Sequence, residues 1–237
     1  MRQLHTYIVA RRGCVPLRMI LASVLAACGM AVAPVAPGPA WALPGDCPPF
    51  CDRIPDSAWI APTAIPLSGQ YRWPDLAGLA VTAPAPRFKF EEVCASLPMA
   101  NDARDYAVAA RAVVSHAIGQ WQLQAQVVHW RGERWRSGPL AESVFDVAVG
   151  RLRACQATAP LQSPSITTGE LDRLAAVISG PVIVHQYLLA DPGSGTVVEL
   201  ALWSTTPPLV AWPSVPDAQV LDAMAAPLCT AYIGSCR

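Results

Sequence analysis

PVIVHQYLLA at residues 181–190 and TVVELALWST at 196–205 flank Asp191-Pro-Gly-Ser-Gly195, and this stretch decides the fold. Two runs rich in β-branched and aliphatic residues, joined by a Pro-Gly connection, predict an antiparallel hairpin with a five-residue turn. If Ala190 faces Thr196, one face of the hairpin carries Val184, Leu188, Val198, Leu200 and Leu202. Cross-strand neighbours share their burial, so that face belongs to the core. The other face then sets Tyr187 opposite Glu199, with His185 diagonal to the pair. Lining a groove, Glu199 would raise the His185 pKa, and the three would bind a ligand or move a proton. The plainer alternative is a solvated sheet face, or polar residues bonded beneath a helix.

Working upstream, Trp121, Leu123, Ala125 and Val127 alternate with glutamines, the period of a half-buried strand over 121–130. Arg131-Gly132 makes the turn. Pro139, following Ser137-Gly138, opens a helix to about Gln156, with Val144, Phe145, Ala148 and Leu152 for the core. Tyr106, Ala109, Ala110 and Val113 recur at helical spacing behind Asn101 and Asp102, which predicts a helix over 101–117. Thr167 and Glu170 have capping-box spacing, which predicts a short helix over 168–178. Downstream, Pro207, Pro208 and Pro213 break the chain, and Pro216-Asp217 opens a last helix to about Ala231. The sum is an α+β domain over residues 87–237, an antiparallel or mixed sheet with about three helices packed on it.

Residues 43–86 hold nine prolines, Pro44 through Pro86, and predict an extended arm wrapping the domain, pinned by Trp59, Tyr71 and Trp73. Residues 1–42 have the layout of a cleaved export signal. Arg2, Arg11, Arg12 and Arg18 precede an apolar run that ends in prolines and Ala40-Trp41-Ala42. Cleavage after Ala42 is expected, placing the protein outside the cell or at the cell envelope. Leu25-Ala26-Ala27-Cys28 also resembles a lipobox, so acylation at Cys28 is the alternative, and a membrane is a partner only in that case. The apolar run stops by Pro34, short of the roughly 18–20 residues that span a bilayer.

Cys47, Cys51, Cys94, Cys155, Cys229 and Cys236 remain after cleavage. An even count in an exported chain favours disulfides over metal or redox roles. Cys94 and Cys155 flank the central segment and are the preferred long-range pair. No CxxC occurs, and no metal site or cofactor is expected.

All 17 acidic residues follow position 42 while four of the 17 basic ones precede it, leaving 13 basic against 17 acidic. That net negative charge argues against nucleic acid as a partner. The sequence contains no GxxxxGK[ST], no GxSxG and no HExxH. The second candidate site is His129-Trp130-Arg131-Gly132-Glu133-Arg134-Trp135-Arg136, where Trp130, Arg131, Arg134, Trp135 and Arg136 interleave guanidinium and indole groups. That chemistry suits anionic glycans or lipid headgroups. The alternative is a hairpin end with its tryptophans turned inward. The expectation is a non-catalytic domain binding an envelope component or small ligand. Two rivals stand beside it: a cell-wall hydrolase using His185 and Glu199, and a lipoprotein carrier of an apolar ligand.

In element order and cysteine placement, residues 94–236 resemble the small exported proteins of mycobacteria and relatives, including LpqN-type lipoproteins and the outer sensor domain of the kinase PknH. The resemblance implies binding or sensing at the envelope and transfers no functional residue.

Overall fold

The computed structural model describes residues 53–158 and 163–235. In chain order the elements are α1 (Ser68–Tyr71), β1 (Val81–Thr82), α2 (Lys89–Val93), β2 (Val108–Val114), β3 (Gln122–His129), α3 (Arg134–Thr158), β4 (Ser163–Gly169), β5 (Arg173–Ser179), β6 (Val182–Asp191), β7 (Thr196–Thr205) and α4 (Asp217–Ala231). The strands form one antiparallel sheet in the order β1-β2-β3-β7-β6-β5-β4. The α+β class and the central hairpin are as the sequence predicts.

The hairpin register is not. Asp191 pairs with Thr196 and Ala190 with Val197, one residue off the expected alignment. Asp191 extends the strand because its carboxylate closes the turn, accepting from the Gly193 N–H at 3.0 Å and the Ser194 hydroxyl at 2.7 Å. A slip of one moves every residue of one strand across the sheet relative to the other. Val184 and Leu188 therefore share a face with Glu199, whereas Tyr187 sits opposite Leu200 and shares its face with Val198 and Leu202. Both faces are covered. Phe145, Ala148 and Leu152 of α3, with Phe88 and Phe90 around α2, bury one. Val220, Leu221, Met224 and Leu228 of α4 bury the other, together with Ile54, Trp59, Ile65, Trp73 and Leu76.

Three expected helices change. Residues 101–117 hold a short 3-10 turn, Ala103–Tyr106, followed by β2. Asn101 has φ +57° and caps nothing, while the Asp102 carboxylate accepts from the Arg104 N–H at 3.0 Å. The run Val108-Ala-Ala-Arg-Ala-Val-Val114 is thereby free to pair with β3 along its whole length. Residues 168–178 form the β4–β5 hairpin, because Leu174, Ala176 and Ile178 alternate onto the α3 face. The central helix begins at Arg134, five residues before Pro139, which lies inside it. The last helix, Asp217–Ala231, matches its expected span. The described part of the proline-rich stretch is a string of short turns, at Asp56–Ala58, Pro62–Ala64, α1 and Ala77–Leu79. Tyr71 stacks on the buried Trp73 with ring centroids 4.8 Å apart.

Cys94 and Cys155 are bonded, joining the end of α2 to α3 across 61 residues. In the loop-entropy picture a closure of that length stabilises the fold by about 4 kcal/mol. Cys229 is also disulfide-bonded. Cys28, Cys47, Cys51, Cys236 and the expected signal lie outside the described residues. Among the described residues no helix is long and apolar enough to cross a membrane.

Candidate functional site

His185, Tyr187 and Glu199 do not meet. The register puts Glu199 on the α3 face and the other two on the α4 face. His185 is 8% exposed, stacks on Trp212 at 3.6 Å and 6°, and has Trp121 at 5.6 Å. Its Nε2 has no hydrogen-bond partner. Burial pulls its pKa down to about 4, with the charge of Asp217 opposing. Burial likewise raises the Tyr187 pKa, helped by Asp217.

Glu199 is fully buried beneath α2. Its carboxylate accepts from Gln124 Nε2 at 2.9 Å, from Gln186 Nε2 at 3.0 Å and from the Lys89 N–H, while the Phe90 N–H donates to Gln186 at 3.1 Å. Burial pushes its pKa up to about 7 against those donors. This set anchors the start of α2 to the sheet. A second buried set anchors its middle. Arg104 donates to Glu91 at 2.6 and 3.0 Å and to Asp102 at 2.6 Å, and Arg151 pairs with Glu91. Burial alone would raise the pKa of both acids, but the Arg104 bonds and charge outweigh it and hold both below their usual values. These groups satisfy one another and hold structure. A hydrolase built on His185 and Glu199 has no geometry here.

The tryptophan-arginine segment divides. Trp130 is buried, with its indole N–H on the Ala103 carbonyl at 2.8 Å. Arg131, Arg134, Trp135 and Arg136 are exposed where the chain enters α3. Trp135 is 67% exposed, and the Arg136 guanidinium lies 4.4 Å over its ring. This end of the molecule also holds the tip of the β6–β7 hairpin. Arg134, Gly138 and Glu142 recur four residues apart and so share one stripe of α3. A Cβ at Gly138 would lie 2.8 Å from the Pro192 carbonyl oxygen, so only glycine lets the tip rest on the helix. Gly195, with φ +64°, is held as closely against Ser137.

Two adjoining hollows result. A cleft of about 550 Å³ is lined by Arg134, Glu142, Asp172, Arg173, Asp191 and Ser235, among others. A hollow of about 410 Å³ beside Trp135 and Pro139 shares Arg134, Glu142 and Pro192 with it. Among the described residues, the side chains of Arg134, Glu142 and Asp172 form no hydrogen bond or ion pair with a neighbour. Arg173 is held by Asp222 at 2.6 Å. Asp191 is committed to the turn and to the Ser235 hydroxyl. Where β7 begins, Ser194 meets Thr196 at 2.9 Å and Thr196 meets His129 Nδ1 at 3.0 Å. Burial and the nearby Arg131 lower the His129 pKa to about 4.

Sequence reasoning singled out Arg134, Trp135 and Arg136 but missed Glu142, Asp172 and Asp191. The eight-residue step from Arg134 to Glu142 is the one local signal; the two aspartates arrive from the β4–β5 turn and the end of β6. Among the described residues no group of three His, Cys, Asp or Glu side chains could hold a metal ion. No protein-family model matches the chain, and no curated protein or solved structure matches it.

Proposed function

We propose that this chain is an exported, disulfide-stapled domain that binds a ligand at the cell envelope and catalyses no reaction, with the cleft at the hairpin end as its binding site. The observation that carries this reading is the set of uncommitted side chains of both charges around one cleft of ligand size. The signal layout of residues 1–42 and the Cys94–Cys155 bond support an oxidising destination.

Two measurements test it. N-terminal sequencing of the protein recovered from culture medium and envelope fractions should read from Leu43, and intact mass before and after reduction should reveal the disulfides. Full-length protein in the cytosol with reduced cysteines would end the export reading. For binding, thermal-shift screening against envelope extracts should give a stabilisation that Arg134→Ala with Glu142→Ala removes. An equal shift in wild type and variant would place the ligand elsewhere.

A further inference from the structure

We infer that the cleft takes a neutral, extended saccharide, with one sugar ring against Trp135 and its hydroxyls between Arg134 and the carboxylates of Glu142 and Asp172. This rests on the binding reading above and narrows it to a chemical class.

Charge is the first argument. A hydroxyl both donates and accepts, so it is satisfied between a guanidinium and a carboxylate. The cleft offers both on facing elements. On one side are Arg134 and Glu142 of α3, without a hydrogen bond or ion pair among the described residues, and on the other is Asp172 of the β4–β5 turn, whose charge also acts on Arg173. An anionic ligand would meet Glu142 and Asp172 as well as Arg134, and a cationic one would meet Arg134 and Arg173. The anionic glycans that the arginines alone suggest are disfavoured by acids the sequence did not place there.

Shape is the second. The two hollows share Arg134, Glu142 and Pro192, so they lie side by side at the hairpin tip. Two adjoining hollows suit several linked units better than one.

Trp135 is the third. One ring face carries the Arg136 guanidinium, and the side chain is still two-thirds exposed beside the smaller hollow. The electron-rich face of an indole attracts polarised C–H groups as it attracts cations, and a pyranose presents a flat row of such groups. The Arg136 stack also holds the indole in place before binding, which lowers the cost of ordering it.

The test uses the purified mature chain in native gels containing α- or β-linked glucan, mannan, galactan or arabinan, with heparin and triglycine assayed as competitors by calorimetry. At least one neutral polysaccharide should retard the wild type. Trp135→Ala and Arg134→Ala should each weaken that binding ten-fold or more at unchanged melting temperature, since both side chains are exposed. Absence of retardation by the whole neutral panel, or retardation that Trp135→Ala leaves intact, overturns the inference. Heparin or triglycine binding that Arg134→Ala abolishes would sink the saccharide and keep the cleft. Binding untouched by any cleft substitution would sink both.

Discussion

Replacing Glu199 by glutamine should remove a specific piece of the pH dependence of stability. The carboxylate is fully buried, and burial raises its pKa from 4.5 to about 7. Between those values the folded protein holds a proton that the unfolded chain has released. Stability from this group is therefore greatest below pH 4.5 and is lost as pH rises toward 7. A displacement of that size corresponds to about 3 kcal/mol over the full window, of which about 2–3 kcal/mol falls between pH 5 and 8. His185 and His129 work in the opposite sense, losing stability as pH falls from 6.5 toward 4, so the wild-type profile alone hides the effect. The difference between wild type and Glu199→Gln isolates it. Urea unfolding of both proteins at half-unit steps from pH 5 to 8, with disulfides intact, gives that difference directly. Glutamine keeps an acceptor for the Lys89 N–H, and a rotated Gln124 amide can pair with its new N–H. The variant should gain on the wild type steadily as pH rises. Parallel stability curves would refute the reasoning and mean that the three donors hold Glu199 ionised throughout.

Three further outcomes follow from the same geometry. His185→Phe keeps the stack on Trp212 and deletes an unpartnered ring nitrogen, so its melting temperature at pH 5 should exceed that of the wild type, with a smaller gap at pH 7.5. Arg104→Met leaves Glu91 and Asp102 buried without their shared cation and should cost about 3–5 kcal/mol in urea unfolding, whereas Arg53→Met, which breaks an exposed pair, should cost under about 1 kcal/mol. Gly138→Val drives side-chain atoms into the Pro192 carbonyl and should cost about 1–3 kcal/mol while weakening ligand binding far more than Gly150→Ala, where nothing stands in the way.

The hairpin, β3, α4 and the Cys94–Cys155 bond were legible because each follows from local pattern or from cysteine position. The register was not. Ten-residue strands with apolar groups at both parities offer no preferred face when both sides of the sheet are covered, and a single side chain, Asp191, decided the alignment. That one step parted His185 and Tyr187 from Glu199. The 101–117 segment misled for a related reason: alanines and valines fit a helix stripe or a strand equally, and pairing with β3 chose the strand. At the cleft, Arg134 and Trp135 announced themselves by composition. Glu142, Asp172 and Asp191 come from α3, the β4–β5 turn and the end of β6, and only tertiary packing of the hairpin tip on Gly138 brings them together.

The strand order has a consequence for how the chain is made. β3 has β7 as its inner neighbour, with Gln126 facing Glu199, so the middle of the sheet joins residues synthesised early to residues synthesised late. Until residues 196–205 emerge from the ribosome, β2–β3 and β4–β6 are two separate fragments, each with a bare edge. Closing that seam is a non-local and therefore slow event. A polypeptide wired this way completes its sheet only when most of the chain has been translated.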